Sequence, residues 1–353
     1  MSEPRGTVLL RGWEISRRLA GRLVMIFVLP CLSLWMVGAV CFSVFPSGLP
    51  RVIGAGVIGL SILLVLALVE SRWKVIGLVG GLFLIVFGGW SLIPASNDRD
   101  WPLPVMVLPD AEISSDGGEV RVSNVRNFHY RSRDDFDVAY YDATYDLSGV
   151  RGVDFVVSYW GNEAIAHTFL SFEFEGGQRV AVSVEIRPEV GESFHPLAGL
   201  FKQYEIIYVV GDERDVIGVR TNHRMEDTYL YRSRATPEQA RAIFVDVMRR
   251  VGELADEPAF YGTVGANCTT SMVEHVNTAL ERKVPFSGKL LFNGFSDKLA
   301  YERGNLETVL PFPDLKQACY ISGAARRLGD GEGFSEALRE RIAERVEAAK
   351  GGE

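Results

Sequence analysis

Three long stretches without a single charged side chain fill the N-terminal part of this 353-residue chain: residues 23–45, 52–69 and 75–93. A bilayer core is crossed by about 20 apolar residues wound as helix, so each stretch is near or above spanning length. The first is interrupted only by Pro30. It exceeds the ~7–15 residues of a signal-peptide core. No Asp, Glu, Lys, Arg or His lies inside the three runs, and intramembrane ionisable groups are the usual mark of an ion or substrate path. Gly77 and Gly81 are spaced for close helix contact. The three spans therefore read as an anchor.

Charge placement orients that anchor. Arg5, Arg11, Arg17, Arg18 and Arg22 all precede the first run, and Arg72 and Lys74 lie between the second and third. Positive residues stay on the cytoplasmic side, so three crossings deliver the chain to the outside after Ile93. Trp73, Trp90 and Trp101 fall near the inferred boundaries, where indole rings favour the headgroup layer. The formal charge of −8 and the lack of a basic face exclude a general nucleic-acid binder.

Residues 96–118 are polar and punctuated by proline, which reads as a linker. The extracytoplasmic domain then spans 119–353. Short β-rich segments at 119–125, 153–159, 165–174, 179–186, 204–210, 216–221 and 228–231 predict a mostly antiparallel sheet, with Glu175-Gly-Gly-Gln178 as a hairpin turn. Helical patterns follow. One opens at Thr236-Pro-Glu-Gln239 and presents Ala240, Ile243, Phe244, Val247 and Val251 on one face, a second starts at Asn267, and a third covers about 334–349. Strands first and helices later make an α+β fold.

Within this domain Cys268 stands where a nucleophile belongs. It follows Asn267, a good helix cap, which sets its sulfur in the first turn near free N–H groups and the positive dipole end. Those features favour thiolate and supply oxyanion donors, with Asn267 and Thr269 as the local candidates. A base must come from elsewhere. His275 lies two turns along the same helix, about 10 Å away, and His129, His195 and His223 lie in polar, loop-like segments. His167 sits mid-strand on a face with Ile165 and Phe169, where a polar ring needs a partner. Glu185 can face it from the next strand if the hairpin turn holds an odd number of residues, completing a triad. Otherwise Glu185 faces away. A Cys268–Cys319 bridge is the competing reading of the cysteine, and it would make the domain a non-catalytic envelope scaffold. No metal-ligand spacing and no phosphate loop occur, so neither a metal nor a cofactor is expected.

The segments Asn124-Val-Arg-Asn-Phe128, Ser158-Tyr-Trp-Gly161, Ile165-Ala-His-Thr168, Tyr204-Glu-Ile-Ile-Tyr-Val209, Asp212-Glu-Arg-Asp215, Asn267-Cys-Thr-Thr270 and Phe334-Ser-Glu336 together resemble the Lnb N-terminal periplasmic domain family. The resemblance implies a permuted papain-like, NlpC-like domain, in which the histidine strand precedes the cysteine helix. It implies Cys268 as nucleophile, His167 as base and an acidic orienter. Tyr159 and Tyr204, within the matching segments, join the substrate-side candidates. It further implies a bacterial inner-membrane protein with a periplasmic domain, and thiol-dependent acyl transfer or hydrolysis on membrane lipid or lipoprotein substrates. The family's namesake acylates the N-terminal amine of lipoproteins. Its spans follow the domain, whereas here they precede it, so the resemblance carries the site and leaves the substrate open. A cell-wall peptide amidase or endopeptidase of the NlpC-like type is the alternative expectation.

Overall fold

A helix that is apolar all round belongs in a membrane rather than on a globular surface, and three of this kind open the chain. The computed structural model describes residues 13, 16–45, 48–329, 331 and 333–351. Arg5 and Arg11 of the expected cytoplasmic cluster lie outside them. The chain forms two units, Met1–Ala95 with Gly191–Tyr204, and Ser96–Val190 with Glu205–Glu353.

In the first unit, α1 (Ser16–Val44), α2 (Leu49–Leu68) and α3 (Arg72–Ser91) are each long and apolar enough to cross a membrane. α1 widens into π turns at Val24–Val28 and Val40–Val44. The first precedes Pro30, which has no N–H to return to the preceding turn. Met36, Ala39, Val75 and Val79 pack between the helices, while Leu34, Leu63 and Ile85 stay exposed, as lipid-facing side chains do. Residues 191–204 complete this unit. Phe201 stacks on Phe42 at 5.7 Å, its carbonyl accepts from the Trp90 indole at 3.1 Å, and Arg51 pairs with Glu192 at 3.0 Å.

The second unit contains β1 (Asp110–Ile113), β2 (Glu119–Arg126), β3 (His129–Tyr130), β4 (Phe136–Asp137), β5 (Tyr140–Asp146), β6 (Val150–Tyr159), β7 (Ala166–Phe174), β8 (Arg179–Arg187), β9 (Glu205–Gly211), α4 (Glu213–Gly218) and β10 (Asp227–Arg232). Then come α5 (Pro237–Asp256), α6 (Cys268–Ala279), α7 (Gly288–Leu291), α8 (Ser296–Glu302), α9 (Phe312–Ala318), α10 (Ser322–Leu328) and α11 (Phe334–Lys350). The main sheet runs β1-β2-β9-β8-β7-β6-β10, with β5 also paired to β2. Its pairings are antiparallel except β2 with β9, which meet in parallel at Arg126 and Gly211. The class is α+β.

Strand alternation sorts the side chains into two cores. Leu170, Phe172, Val182, Val184 and Tyr208 face α5 and α6. Phe169, Ala181, Ile207 and Val209 face the other way, toward α4, α10 and α11. Strands covered on both sides are apolar at nearly every position, which is how β7, β8 and β9 read. α5 starts at the expected cap: Thr236 and Gln239 form a reciprocal capping box with Pro237 in the first turn, and the predicted apolar face is buried.

Three sequence expectations are corrected. Residues 96–118 are not a linker: β1 pairs with β2, and Arg187 clamps the stretch before it by donating to the Val105 and Met106 carbonyls at 2.9 and 2.8 Å. Trp101 is buried under that guanidinium, 4.2 Å from ring centroid to Cζ, rather than serving as an interfacial ring. Residues 216–221 are helical. Asp212 caps α4 by accepting from the Arg214 amide, and Val216 and Ile217 fill the core below the sheet, so burial overrides their β-preference.

The C-terminal helix docks through charge. Arg339 reaches Asp154 at 2.6 and 2.9 Å and Glu213 at 2.6 and 2.9 Å, and both carboxylates are essentially unexposed. Burial raises the Glu213 carboxyl, but Arg339 overcomes this and holds it at about 2. Removing one partner of such a cluster leaves buried charge uncompensated, at a cost of about 3–5 kcal/mol. Arg339→Met should therefore lower the chemical-denaturation midpoint of the detergent-solubilised chain sharply. A shift no larger than that of a surface Arg341→Met control would contradict the role.

Candidate active site

The hairpin of β7 and β8 sets the site. Its loop is the three-residue turn Glu175–Gly177, closed by the Phe174 amide on the Gln178 carbonyl at 2.9 Å, with Gly176 and Gly177 at φ of 77° and 83°. An odd loop sets even-numbered positions opposite even and odd opposite odd, so His167 and Glu185 can share a face. The ladder pairs Leu170 with Val182, and the same register carried three residues further sets His167 opposite Glu185. His167 Nε2 lies 2.6 Å from Ser183 Oγ and 3.2 Å from Glu185 Oε1. Ser183 donates in turn to Glu185 at 2.7 Å.

The ladder stops at Leu170–Val182, short of the histidine. Cys268 enters from the helical side of that opening. Asn267 caps α6, its side-chain oxygen accepting from the Thr269 and Thr270 amides at 2.9 Å each, and Cys268 is the first helical residue. The His167 imidazole and the Thr168 backbone lie close enough to the sulfur to favour its charged form. With Nε2 engaged by Ser183 and Glu185, Nδ1 is the nitrogen left for the sulfur.

Burial pushes the Cys268 thiol up, yet the neighbouring imidazole, the Thr168 backbone and the Thr269 hydroxyl bring it down to about 7. Burial pushes His167 down, and the Glu185 carboxylate with the Cys268 sulfur carries it up to about 9. Glu185, although partly buried, is held well below the carboxylate range by His167 and Arg220. Both shifts favour a thiolate–imidazolium pair backed by a carboxylate, the form in which a cysteine can attack a carbonyl.

Several of these contacts were not legible beforehand. Arg220, 2% exposed, hydrogen-bonds to Glu185 and to Ser183, and its guanidinium lies 4.8 Å from the Phe169 ring centroid. Asn293 donates its amide to the Cys268 sulfur at 3.6 Å while its carbonyl accepts from the Ala166 amide at 2.8 Å. Gly294 allows this approach, since a Cβ there would lie 2.0 Å from the Glu163 carbonyl oxygen. Burial, reinforced by the nearby Cys268 and Glu185 charges, pushes the Tyr261 hydroxyl up. Serine, arginine and asparagine remote in sequence carry no local signal of such a role.

The other predicted residues are sorted by the structure. Asn267 is a cap, and because it consumes the Thr269 and Thr270 amides, only the Cys268 amide of the first turn remains for an oxyanion. Thr269 touches the sulfur at 3.8 Å and Thr168 at 2.9 Å. Tyr159 does not face the sulfur. Its hydroxyl bonds to the Gly294 carbonyl, Asp297 and Lys316, which steadies the Asn293 segment. Tyr204 belongs to the membrane-helix unit, where its hydroxyl bridges Ser193 and His195. His275 is locked between Asp246 and Tyr208, each at 2.8 Å. Cys268 and Cys319 are both free, and Cys319 packs in a separate apolar cluster where burial pushes its thiol up to about 12. Among the described residues no cluster of three His, Cys, Asp or Glu side chains is arranged to hold a metal.

Residues 137–294 match the family model of the Lnb N-terminal periplasmic domain. This is the family expected from the sequence motifs. The match begins within β4 and ends beside Asn293, so His167, Ser183, Glu185, Arg220, Tyr261, Cys268 and Asn293 all fall inside the Lnb-type region. Three membrane-capable helices and a domain of a periplasmic family make this a membrane protein with a periplasmic domain. No curated protein and no solved structure gives a match.

The thiolate–imidazolium pair has a direct signature. Iodoacetamide alkylation of Cys268 should rise through an apparent midpoint near pH 7, below the 9.0 of an ordinary thiol, because the thiol is protonated below that midpoint. In His167→Ala the stabilising charge is gone while burial remains, so the midpoint should move up by two units or more. An unchanged midpoint in that variant would show that the histidine does not hold the thiolate.

Proposed function

We propose that this protein is a thiol-dependent acyl-transfer enzyme of the bacterial inner membrane, with its N-terminus cytoplasmic and its catalytic domain periplasmic, working on membrane lipid or lipoprotein through an acyl-Cys268 intermediate. The observation that carries this reading is the low-lying Cys268 thiol backed by His167 and Glu185 inside an Lnb-type region. The order of histidine strand before cysteine helix is that of permuted papain-like enzymes. An anchor of three apolar helices keeps such a domain where acylated substrates reside.

The chemistry follows from the residues. The Cys268 thiolate attacks an ester carbonyl and forms an S–C bond, while the carbonyl oxygen becomes an oxyanion. Donors near the sulfur are the Cys268 amide and the Asn293 side-chain amide, groups suited to that charge. Collapse of the intermediate breaks the C–O bond, and the His167 imidazolium gives its proton to the departing alkoxide. In the second half an amine or water gives a proton to the neutral His167 and attacks the thioester carbonyl. The S–C bond breaks and the thiolate returns. Glu185, Ser183 and Arg220 keep the ring oriented throughout.

Incubation of the detergent-solubilised full chain with labelled phospholipid or lipoprotein should give an acyl adduct on Cys268 by mass spectrometry, and acyl transfer or release that Cys268→Ala and His167→Ala reduce to background. Glu185→Gln should retain on the order of 10-fold or more over those variants, since orienting members of a triad are the most replaceable. Absence of any adduct and product with every lipid would refute the acyl reading. Release of peptide from isolated peptidoglycan, dependent on Cys268, would replace it with the cell-wall alternative.

Turnover should also be bell-shaped in pH. The acidic limb lies near 7, where the thiolate is protonated, and the alkaline limb near 9, where the imidazolium loses the proton it must donate. Both values belong to the coupled pair. A rate that keeps rising past pH 10 would remove His167 as the proton donor.

A further inference from the structure

A half-open, mainly apolar cavity of about 200 Å³ lies beside the thiol centre, within the second unit. Thr168 and Thr269, the residues that follow His167 and Cys268, are part of its wall and are joined by a 2.9 Å hydrogen bond, with the Thr269 hydroxyl 3.8 Å from the sulfur. From there Thr269, Met272, Val273, Val276 and Leu280 line it. These are one stripe of α6 from its first turn to its end, a run of roughly 16 Å at 1.5 Å per residue. Leu170, Leu299 and Leu306 stand among the residues of the remaining wall. The lining surface is mostly apolar although Arg234, Gln239, Arg303 and Asn305 contribute to it, and Ser296 adds a hydroxyl that is without a hydrogen-bond partner in a residue only 5% exposed, three residues after Asn293.

We propose that this cavity is the acyl-chain site of the enzyme, holding one unbranched hydrocarbon chain along α6 with its ester carbonyl at Cys268. The assignment rests on the acyl-transfer reading above and adds to it the place and direction of the chain. A concave wall of Leu, Val and Met gains free energy when an apolar group covers it and removes it from water, and it makes its dispersion contacts with such an occupant. A cell-wall peptide, with charged and amide groups along its length, would leave most of them without partners there. The Ser296 hydroxyl, unpaired and near the Asn293 end, is a donor for an oxygen of the bound ester. Chain length is then measured along α6, and the small side chain of Ala300 and the β-branched Val276 are positions where added bulk shortens the space.

The experiment uses p-nitrophenyl esters from acetyl to palmitoyl with the detergent-solubilised full chain. Acylation forms the S–C bond on Cys268 and releases p-nitrophenolate, read as a burst and as adduct mass. Wild type should be acylated at least 10-fold faster by long-chain esters than by the acetyl ester. Ala300→Phe and Val276→Phe should each reduce that ratio about 10-fold while the acetyl rate stays within about twofold. Comparison with wild type in the same micelles cancels the partitioning of the ester. A diazirine-tagged fatty ester should crosslink to α6 and α8 in wild type, a readout that does not depend on the folding of any variant. Equal rates across chain lengths, unchanged ratios in both variants, or crosslinks confined to other elements would overturn the cavity assignment while acetyl-Cys268 still supports the thiol reading. Failure of every ester to acylate Cys268 would remove the thiol reading itself.

Discussion

The register of one hairpin governs the chemistry of this domain. Because the turn between β7 and β8 holds three residues, His167, Ser183 and Glu185 share a face, and a slip of one residue would send the carboxylate to the opposite core. The same hairpin stops pairing before it reaches the histidine. That opening leaves the Thr168 backbone and the imidazole close to a sulfur delivered by a helix from the other side of the sheet. A fully zipped ladder would have walled off the thiol. The electrostatics follow from this placement: a buried cysteine on its own would be a poor nucleophile, and the adjacent imidazole reverses the sign of its shift.

A site assembled from opposite faces of a sheet needs both layers held firmly. On the histidine side, Arg220 pins Glu185 and Ser183, and Arg339 joins α11 to Asp154 on β6 and Glu213 on α4. On the cysteine side, the Asn267 cap and the α5 capping box fix the helices, while Asn293, positioned by Gly294 and by the Tyr159 contact to its carbonyl, closes over the sulfur. Charged hydrogen bonds of this kind fix direction as well as distance. The apolar cavity beside the site contrasts with this polar scaffolding, and its wall follows one stripe of the same helix that carries the nucleophile.

The membrane unit is built on another principle. Its helices bury little and expose much, and their interior is mainly aliphatic, with Met36, Val40, Val75 and Val79 buried and Trp35 and Phe83 packed beside them. Residues 191–204, between β8 and β9, are part of this unit, so the chain enters it twice. Phe201 supplies an aromatic ring to that interior, and Lys202 lies over the Trp90 ring at 4.6 Å.

The sequence alone determined the features that rest on local chemistry. Uninterrupted apolar length yields spanning helices, a Thr-Pro start yields a capped helix, and an asparagine before a cysteine yields a thiol in the first turn. His167 was singled out because a polar ring at a mid-strand core position needs a partner. The rest depended on contacts between residues far apart in the chain. Whether Glu185 faces His167 was undetermined until the turn length was known. Arg220, Ser183 and Asn293 have no neighbouring motif, and Arg187 buries a proline-rich stretch whose composition reads as linker. Residues 216–221 have strand-forming side chains that the core recruits into a helix. Hydrophobic length and capping are properties of a few consecutive residues, whereas register, ion-pair partners and a cavity wall exist only after the strands have paired and the helices have packed.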